Sequence, residues 1–134
     1  MAMLEDLEGI AKTYKGKLKD AGFSTTDDLL KAGATPAGRK KIAADTGVSE
    51  KKILRWVNMA DLFRIKGVGE EYSDLLEAAG VDTVPELAQR NPENLHQKIE
   101  EINAKKKLVR RPPSLTELTD WIKQAKKLPR KVNY

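Results

Sequence analysis

The strongest constraint on the fold is a repeat within the chain itself. Setting the sequence against itself at an offset of 58 residues aligns residues 7–18 with residues 65–76, and the match continues as far as Leu29 and Leu87. Seven aligned pairs are identical: Gly9/Gly67, Tyr14/Tyr72, Leu18/Leu76, Ala21/Ala79, Gly22/Gly80, Thr25/Thr83 and Leu29/Leu87. Self-similarity at a fixed spacing is the signature of duplicated structural units. The sequence therefore predicts two copies of one small unit, in residues 1–62 and 63–134.

A second matched block follows at an offset of 65 residues, in which a tryptophan of each copy occupies the same place. The aligned residues are Ser49, Ile53, Trp56, Val57 and Ala60 with Ser114, Leu118, Trp121, Ile122 and Ala125. The offset grows by seven residues, which corresponds to about two helical turns. We therefore expect two extra turns in a helix near Leu95 to Lys107. Both tryptophans lie on apolar stripes, so they are expected to be core anchors rather than base-stacking platforms.

Apolar spacing and capping signals both indicate helices. Thr25 with Asp28, Thr83 with Glu86, and Ser114 with Glu117 each have the spacing of a capping box, and no strand-like alternation of useful length competes. The predicted fold is all-α: tandem duplicated repeats with about nine short helices. They are expected near residues 3–9, 12–21, 26–32, 36–45, 50–64, 70–79, 84–90, 92–108 and 115–127. The basic residues at the end of the chain, Lys123, Lys126, Lys127, Arg130 and Lys131, are expected to form a loose tail.

A glycine-containing turn lies near the middle of the chain, in the pattern Ile65-x-Gly67-Val68-Gly69-x-x-x-Ser73-x-x-Leu76. Glycines permit a tight turn with positive φ, an apolar residue between them can fill the gap between two helices, and a small residue lets the helix axes approach. This pattern resembles the helix-hairpin-helix motif. The first copy is less complete, because Ala11 stands where the second glycine would be and Lys15 where the small residue would be.

The resemblance implies a possible role in binding duplex DNA without sequence preference. In DNA-binding members of the superfamily the turn grips phosphates, sometimes with a monovalent cation on its carbonyls, which here would involve Lys66, Gly67, Val68 and Gly69. The free amides at a helix start suit a phosphate. However, two carboxylates, Glu70 and Glu71, follow immediately and would repel DNA. A structural role for the turn is therefore favoured over phosphate binding.

The whole arrangement resembles an uncharacterised bacterial domain-of-unknown-function family of tandem helix-hairpin-helix proteins. The resemblance rests on Ile65–Gly69, the following Leu75–Leu87 and the preceding Thr46–Leu62, and it spans about Leu7 to Leu128. It implies a tandem helix-hairpin-helix fold. It implies no activity, because the family has no agreed one.

Charge is distributed unevenly along the chain. Residues 67–104 carry two basic and nine acidic side chains (net −7), whereas residues 105–134 carry ten and two (net +8). With a pI near 9.4, a polyanion partner is one interpretation, and pairing of the blocks within the fold or with a second molecule is another. The candidate nucleic-acid-binding residues are Lys66, Gly67, Val68, Gly69, Lys12, Lys15, Arg39, Lys40, Lys41, Lys105, Lys106, Lys107, Arg110 and Arg111.

The sequence contains no recognisable catalytic motif. The chain has no cysteine and one histidine, His96, which excludes thiolate or multi-histidine metal sites within one chain. No catalytic triad, phosphate-loop lysine or dinucleotide fingerprint occurs. We therefore expect no enzyme activity, metal, cofactor or small-molecule substrate, and a cytoplasmic protein without membrane contact. Two hypotheses remain: a scaffold that binds proteins or assembles with itself, and a sequence-neutral nucleic-acid binder.

Overall fold

A computed structural model describes residues 12–133, except for the side chains of Lys12, Thr13 and Lys15. These residues form eight α-helices and no strand, so the predicted all-α class is confirmed. Eight of the nine predicted helices are present with ends within two residues of the prediction, and the ninth, near residues 3–9, lies outside the described residues. The helices are α1 (Lys12–Asp20), α2 (Thr26–Ala32), α3 (Pro36–Thr46), α4 (Glu50–Leu62), α5 (Glu70–Ala78), α6 (Val84–Ala88), α7 (Pro92–Lys106) and α8 (Leu115–Lys127).

The chain divides into two compact units. Of the described residues, the first unit contains 12–61 together with 131–133, and the second contains 62–130. Among the described residues, none of the helices is both long and apolar enough to cross a lipid bilayer.

Capping side chains fix several helix starts. The Thr25 hydroxyl accepts from the Asp28 amide at 3.1 Å, and the Asp28 carboxylate accepts from the Thr25 amide at 3.2 Å, which completes the predicted capping box. The predicted box at Thr83 is wrong, because Thr83 makes no side-chain cap hydrogen bond. Glu86 instead accepts from the amide of Asp82, one residue earlier, at 2.9 Å.

The C-terminal ends of α1 and α5 are built in the same way. Gly22 and Gly80 have φ values of +97° and +90°, a conformation that favours glycine. The next amide then reaches back to the helix: Phe23 N donates to Leu18 O at 2.9 Å, and Val81 N donates to Leu76 O at 2.8 Å. The paired glycines found in the sequence thus serve one backbone purpose in each unit.

An aromatic pair lies in the core of each unit. Trp56 and Trp121 are only 1% and 2% exposed, which confirms their expected place in the core. The Tyr14 and Trp56 ring centroids lie 5.3 Å apart at 61°, and those of Tyr72 and Trp121 lie 5.2 Å apart at 54°. Such tilted arrangements are favourable for aromatic rings.

The extra residues of the second unit are shared between a helix and a loop. Helix α7 has 15 residues and α3 has 11, so the predicted extension by two full turns is wrong. The remainder lies between α7 and α8, where residues 107–114 occupy the place that residues 47–49 hold between α3 and α4. Lys107 ends α7 in the left-handed region at φ 52°, as Gly47 ends α3 at φ 74°.

The C-terminal residues are packed in place rather than loose. Val132 is 2% exposed, and Asn133 N donates to Ala34 O at 2.7 Å. The Arg39 guanidinium, itself 6% exposed, donates to Gly33 O at 2.9 Å and to Asn133 O at 2.8 Å. The prediction of a loose basic tail is therefore wrong for residues 131–133, which belong to the first unit, and for Lys123, Lys126 and Lys127, which lie in α8.

Candidate binding surfaces

The turn between α4 and α5, residues 63–69, contains the four hairpin residues singled out from the sequence. Gly67 has a φ of +99°, and a Cβ atom at this residue would lie 2.9 Å from Nε1 of Trp121. Val68 is buried, whereas Lys66 and Gly69 are exposed. Gly67 therefore allows both the left-handed turn and the close approach of the α8 tryptophan, which is a packing role.

Backbone groups of the turn already have partners in α8. The Lys66 amide donates to Gln124 Oε1 at 2.9 Å, and Gln124 Nε2 donates to the Lys66 carbonyl at 3.1 Å. Gln124 Nε2 also donates to Asp120 Oδ2 at 2.9 Å, which fixes the orientation of the amide. A carbonyl that a cation-binding hairpin would offer is here used to dock the turn onto α8.

Helix α5 begins among acids. Gly69 is its N-cap and provides no side-chain cap hydrogen bond, and Glu70 and Glu71 are both exposed in the first turn. Carboxylates at this end complement the helix dipole and repel a second anion. The structure therefore gives Lys66, Gly67, Val68 and Gly69 a structural environment rather than one suited to phosphate.

The described basic residues predicted in the first unit differ in exposure. Arg39 is buried by the hydrogen bonds to Gly33 and Asn133, so its expected place on a cationic surface is corrected. Lys40 and Lys41 are exposed on α3. Lys12 and Lys15 lie in α1, and their side chains are outside what the structure describes.

In the second unit, five of the predicted basic residues lie within seven positions of the chain. We call residues 105–111 the basic segment; Lys105, Lys106, Lys107 and Arg110 are exposed there. Ion pairs formed within the described part of the chain involve none of these four residues. They are therefore available to an anionic partner.

Hydrogen bonds hold the basic segment in one conformation. The Asn103 side chain brackets Val109, accepting from its amide at 3.0 Å and donating to its carbonyl at 3.2 Å. Tyr72 Oη donates to the Arg111 carbonyl at 2.9 Å, which ties the segment to α5. A loop restrained in this way loses little conformational entropy when it binds.

Arg111 differs from its neighbours because it is already paired. Its guanidinium donates to both carboxylate oxygens of Glu117, at 2.8 and 3.2 Å. This hydrogen bonding, aided by the Ser114 amide, lowers the pKa of Glu117 to about 2, and the same pairing raises the pKa of Arg111. Arg111 is thus part of the loop's support and of the α8 cap rather than a free cation.

A shallow groove of about 600 Å³ lies beside the basic segment. Its lining combines cationic, acidic and apolar side chains from α5, α7 and the segment: Glu71, Asn103, Ala104, Lys107, Leu108, Val109 and Arg110. Sequence reasoning identified Lys107 and Arg110 but missed Asn103, Leu108 and Val109. In the sequence, Asn103 precedes Val109 by six residues, with three lysines between them. This spacing predicts no contact unless the backbone conformation of the loop is known.

The described residues hold no group of three or more histidine, cysteine or carboxylate side chains placed to bind a metal. His96 Nε2 lies 3.2 Å from Glu100 Oε1, one turn along α7. This contact stays on one helix surface.

The chain matches the family described as Domain of unknown function (DUF4332) over residues 8–128. The match covers most of its length, so the chain belongs to this family, which confirms the prediction of a family of unknown function. No solved structure matches the chain.

Proposed function

We propose that the protein is a non-catalytic scaffold of two helix-hairpin-helix units that acts by protein–protein interaction or self-assembly. The observation that carries this proposal is the restrained basic segment, whose four exposed cations face solvent beside a groove of mixed polarity. The cysteine-free composition fits a reducing compartment, and a cytoplasmic location is part of the proposal.

The proposed duplication is supported by contacts that recur at the aligned residues. Both units have a tyrosine–tryptophan pair and a left-handed glycine at the same offset of 58 or 65 residues. A serine cap also recurs: the Lys52 amide donates to Ser49 Oγ at 3.3 Å, and the Glu117 amide donates to Ser114 Oγ at 3.1 Å. Independent sequences would have no reason to reproduce this set of contacts at fixed spacing.

The surroundings of the basic segment favour a protein partner over nucleic acid. Glu71 lines the same groove as Lys107 and Arg110, and Glu70 is exposed nearby at the start of α5. The phosphates of a nucleic-acid backbone are all negatively charged, so the two carboxylates would repel them. A protein surface can match both signs and fill the apolar part of the groove with a side chain.

Nucleic-acid binding is the second candidate, because Lys40 and Lys41 form a further exposed basic pair on α3. Its distinguishing property is strong salt dependence with little preference for sequence.

Fluorescence anisotropy can separate the two functions. We would titrate the protein into a labelled glutamate-rich peptide and, separately, into labelled duplex DNA at the same low ionic strength. We expect the peptide to bind, and K106E/K107E to weaken that binding about tenfold, since charge reversal on an exposed surface costs on the order of 1.4 kcal/mol.

The matched control is K40E/K41E, which has the same net charge as K106E/K107E. It should leave peptide binding within about twofold of that of the unaltered protein. Binding of DNA but not of peptide would establish the second candidate instead. Binding of neither probe would reject both uses of the charged surfaces.

A further inference from the structure

Helix α7 has opposite charges on either side of a small residue. We call Glu100 and Glu101 the acidic pair; they are exposed, and Ala104 with Lys105 follows them on the same helix, also exposed. Lys107 ends the helix. Charge thus changes sign over about one helical turn, with an alanine at the change.

These residues share the solvent-facing side of α7. At about 100° per residue, Ala104 lies one turn after Glu100, and Lys105 lies one turn after Glu101. Leu95 and Ile99, which are 2% and 0% exposed, face the core on the other side of the helix. The charged side is therefore presented outward as a whole.

An antiparallel copy of the same helix would match this pattern. If two α7 helices cross between Asn103 and Ala104, Glu100 of each copy lies level with Lys107 of the other, and Glu101 lies within one residue of the level of Lys105. A two-fold axis makes every such contact twice. The short side chain of Ala104 allows the helices to approach closely at the crossing point.

The surrounding structure fits this arrangement. Glu101 and Lys105 are spaced for an ion pair within their own helix, yet the ion pairs of the described residues include neither of them. Ala104 and Lys107 also line the groove, which gives the opposing helix a recess beside the crossing point. Charge complementarity therefore identifies the occupant of this surface as a second copy of the chain.

We propose that two copies of the protein associate through antiparallel contact of their α7 helices, with the acidic pair of each against Lys105 and Lys107 of the other. This inference rests on the proposed scaffold function and specifies its partner. A single helix pair buries less area than a standard interface, so the dimer is weak and sensitive to salt.

Sedimentation velocity at high protein concentration and low salt tests the proposal with two reversed variants. E100K/E101K and K105E/K107E should each raise the dimer dissociation constant tenfold or more, because like charges then face each other. Mixing the two variants should restore association, since the reversed surfaces complement one another. The matched controls D20K/D45K and K40E/K41E change the net charge equally, at exposed residues of the first unit, and should dimerise like the unaltered protein.

Cross-linking tests the geometry, which charge alone does not fix. The chain has no cysteine, so A104C introduces one thiol at the crossing point, and A44C introduces one at an exposed alanine of α3. A disulfide requires Cα atoms within about 7 Å of each other. Mild oxidation at low salt should link A104C several-fold faster than A44C, and high salt should abolish the difference.

The outcomes separate this inference from the proposed function. A protein that is monomeric at every salt concentration but binds the glutamate-rich peptide overturns the inference alone. A monomer that binds no peptide overturns both. A dimer that persists in K105E/K107E, or that links A44C as fast as A104C, shows self-assembly through another surface and overturns the α7 contact.

Discussion

The two units have the same aromatic pair but different charged residues around it. In the first unit, Lys52 Nζ lies 4.6 Å from the Tyr14 ring centroid and donates to the tyrosine oxygen, which lowers the pKa of Tyr14. The residue aligned with Lys52 in the second unit is Glu117, which pairs with Arg111 instead. Tyr72 then donates its hydroxyl to the Arg111 carbonyl. The tyrosine–tryptophan contact is the same in both units, whereas Lys52 in the first unit corresponds to Glu117 in the second.

This difference shows which residues the two units share and which they do not. Packing fixes the tryptophans, and backbone conformation fixes Gly22 and Gly80, so these residues are the same in both units. Charged side chains at the surface cost little to exchange, and a longer connection between α7 and α8 costs little to add. Residues 107–111 of the basic segment, four of which line the groove, lie in that longer connection, so the candidate site includes the region where the two units differ most.

Removing the tryptophans should have the largest effect and should test whether the two aromatic pairs are equivalent. W56A and W121A each empty a buried site beside a tyrosine, and each should lower the free energy of unfolding by about 3 to 5 kcal/mol. Urea denaturation followed by circular dichroism measures both. Losses that differ by more than about 2 kcal/mol would show that the two cores are not energetically equivalent.

Arg39 offers a second comparison, between a buried and an exposed cation on the same helix. R39A leaves the carbonyls of Gly33 and Asn133 without their donor and should cost about 2 to 3 kcal/mol, because hydrogen bonds from charged groups are the stronger ones. K40A removes an exposed charge and should change stability by less than about 0.5 kcal/mol. Limited proteolysis should also show faster loss of the C-terminal residues in R39A only; equal digestion of both variants would contradict the anchoring role.

Much of the fold could be predicted because its signals are local. Capping residues, prolines in first turns and apolar spacing fixed eight helix positions, and the Trp56/Trp121 alignment identified two core residues. Thr83 shows the limit of such signals, since it has the spacing of a capping box but Asp82 donates to Glu86 in its place. The sequence cannot tell which of two neighbouring amides a carboxylate will reach.

The candidate site was less predictable because its contacts join residues far apart in the chain. In the sequence Arg39 resembles an ordinary surface cation, because its hydrogen-bond partner Asn133 lies 94 residues later in the chain. Gln124 carried no signal at all, yet it binds both backbone groups of Lys66. Periodicity and motif spacing report neighbours along the chain, and such long-range hydrogen bonds lie outside their reach.

The two glycines of the turn between α4 and α5 should respond differently to alanine. G67A places a Cβ at positive φ and 2.9 Å from the Trp121 ring, so it should cost about 1 to 3 kcal/mol. A Cβ at Gly69 would meet open space at φ −110°, so G69A should cost less than about 1 kcal/mol. Thermal unfolding of the two variants makes the comparison, and a G69A loss equal to that of G67A would contradict the assignment of the close contact to Gly67.

The smallest expected effect concerns the charged residues near the two aromatic pairs, Lys52 and Glu117. Their contributions to stability should depend differently on pH. Glu117 has its pKa lowered to about 2, below the ordinary value of about 4.3, so its ion pair stabilises the fold above that value. The stabilisation is lost as the pH falls toward 2. Because both partners are partly exposed, E117Q should cost about 1 kcal/mol or less at pH 7, and glutamine keeps the cap.

Urea unfolding at pH 7 and at pH 3 measures this contribution. The stability difference between the unaltered protein and E117Q should shrink at pH 3. Glu117 is then mostly protonated in the unfolded state, and this proton binding lowers the free energy of the unfolded state relative to the folded one. The contact between Lys52 and Tyr14 contains no carboxylate, so the difference caused by K52Q should be the same at both pH values. If K52Q showed the same loss at acid pH as E117Q, the two units would be using one kind of electrostatic support, and the contrast between them would fail.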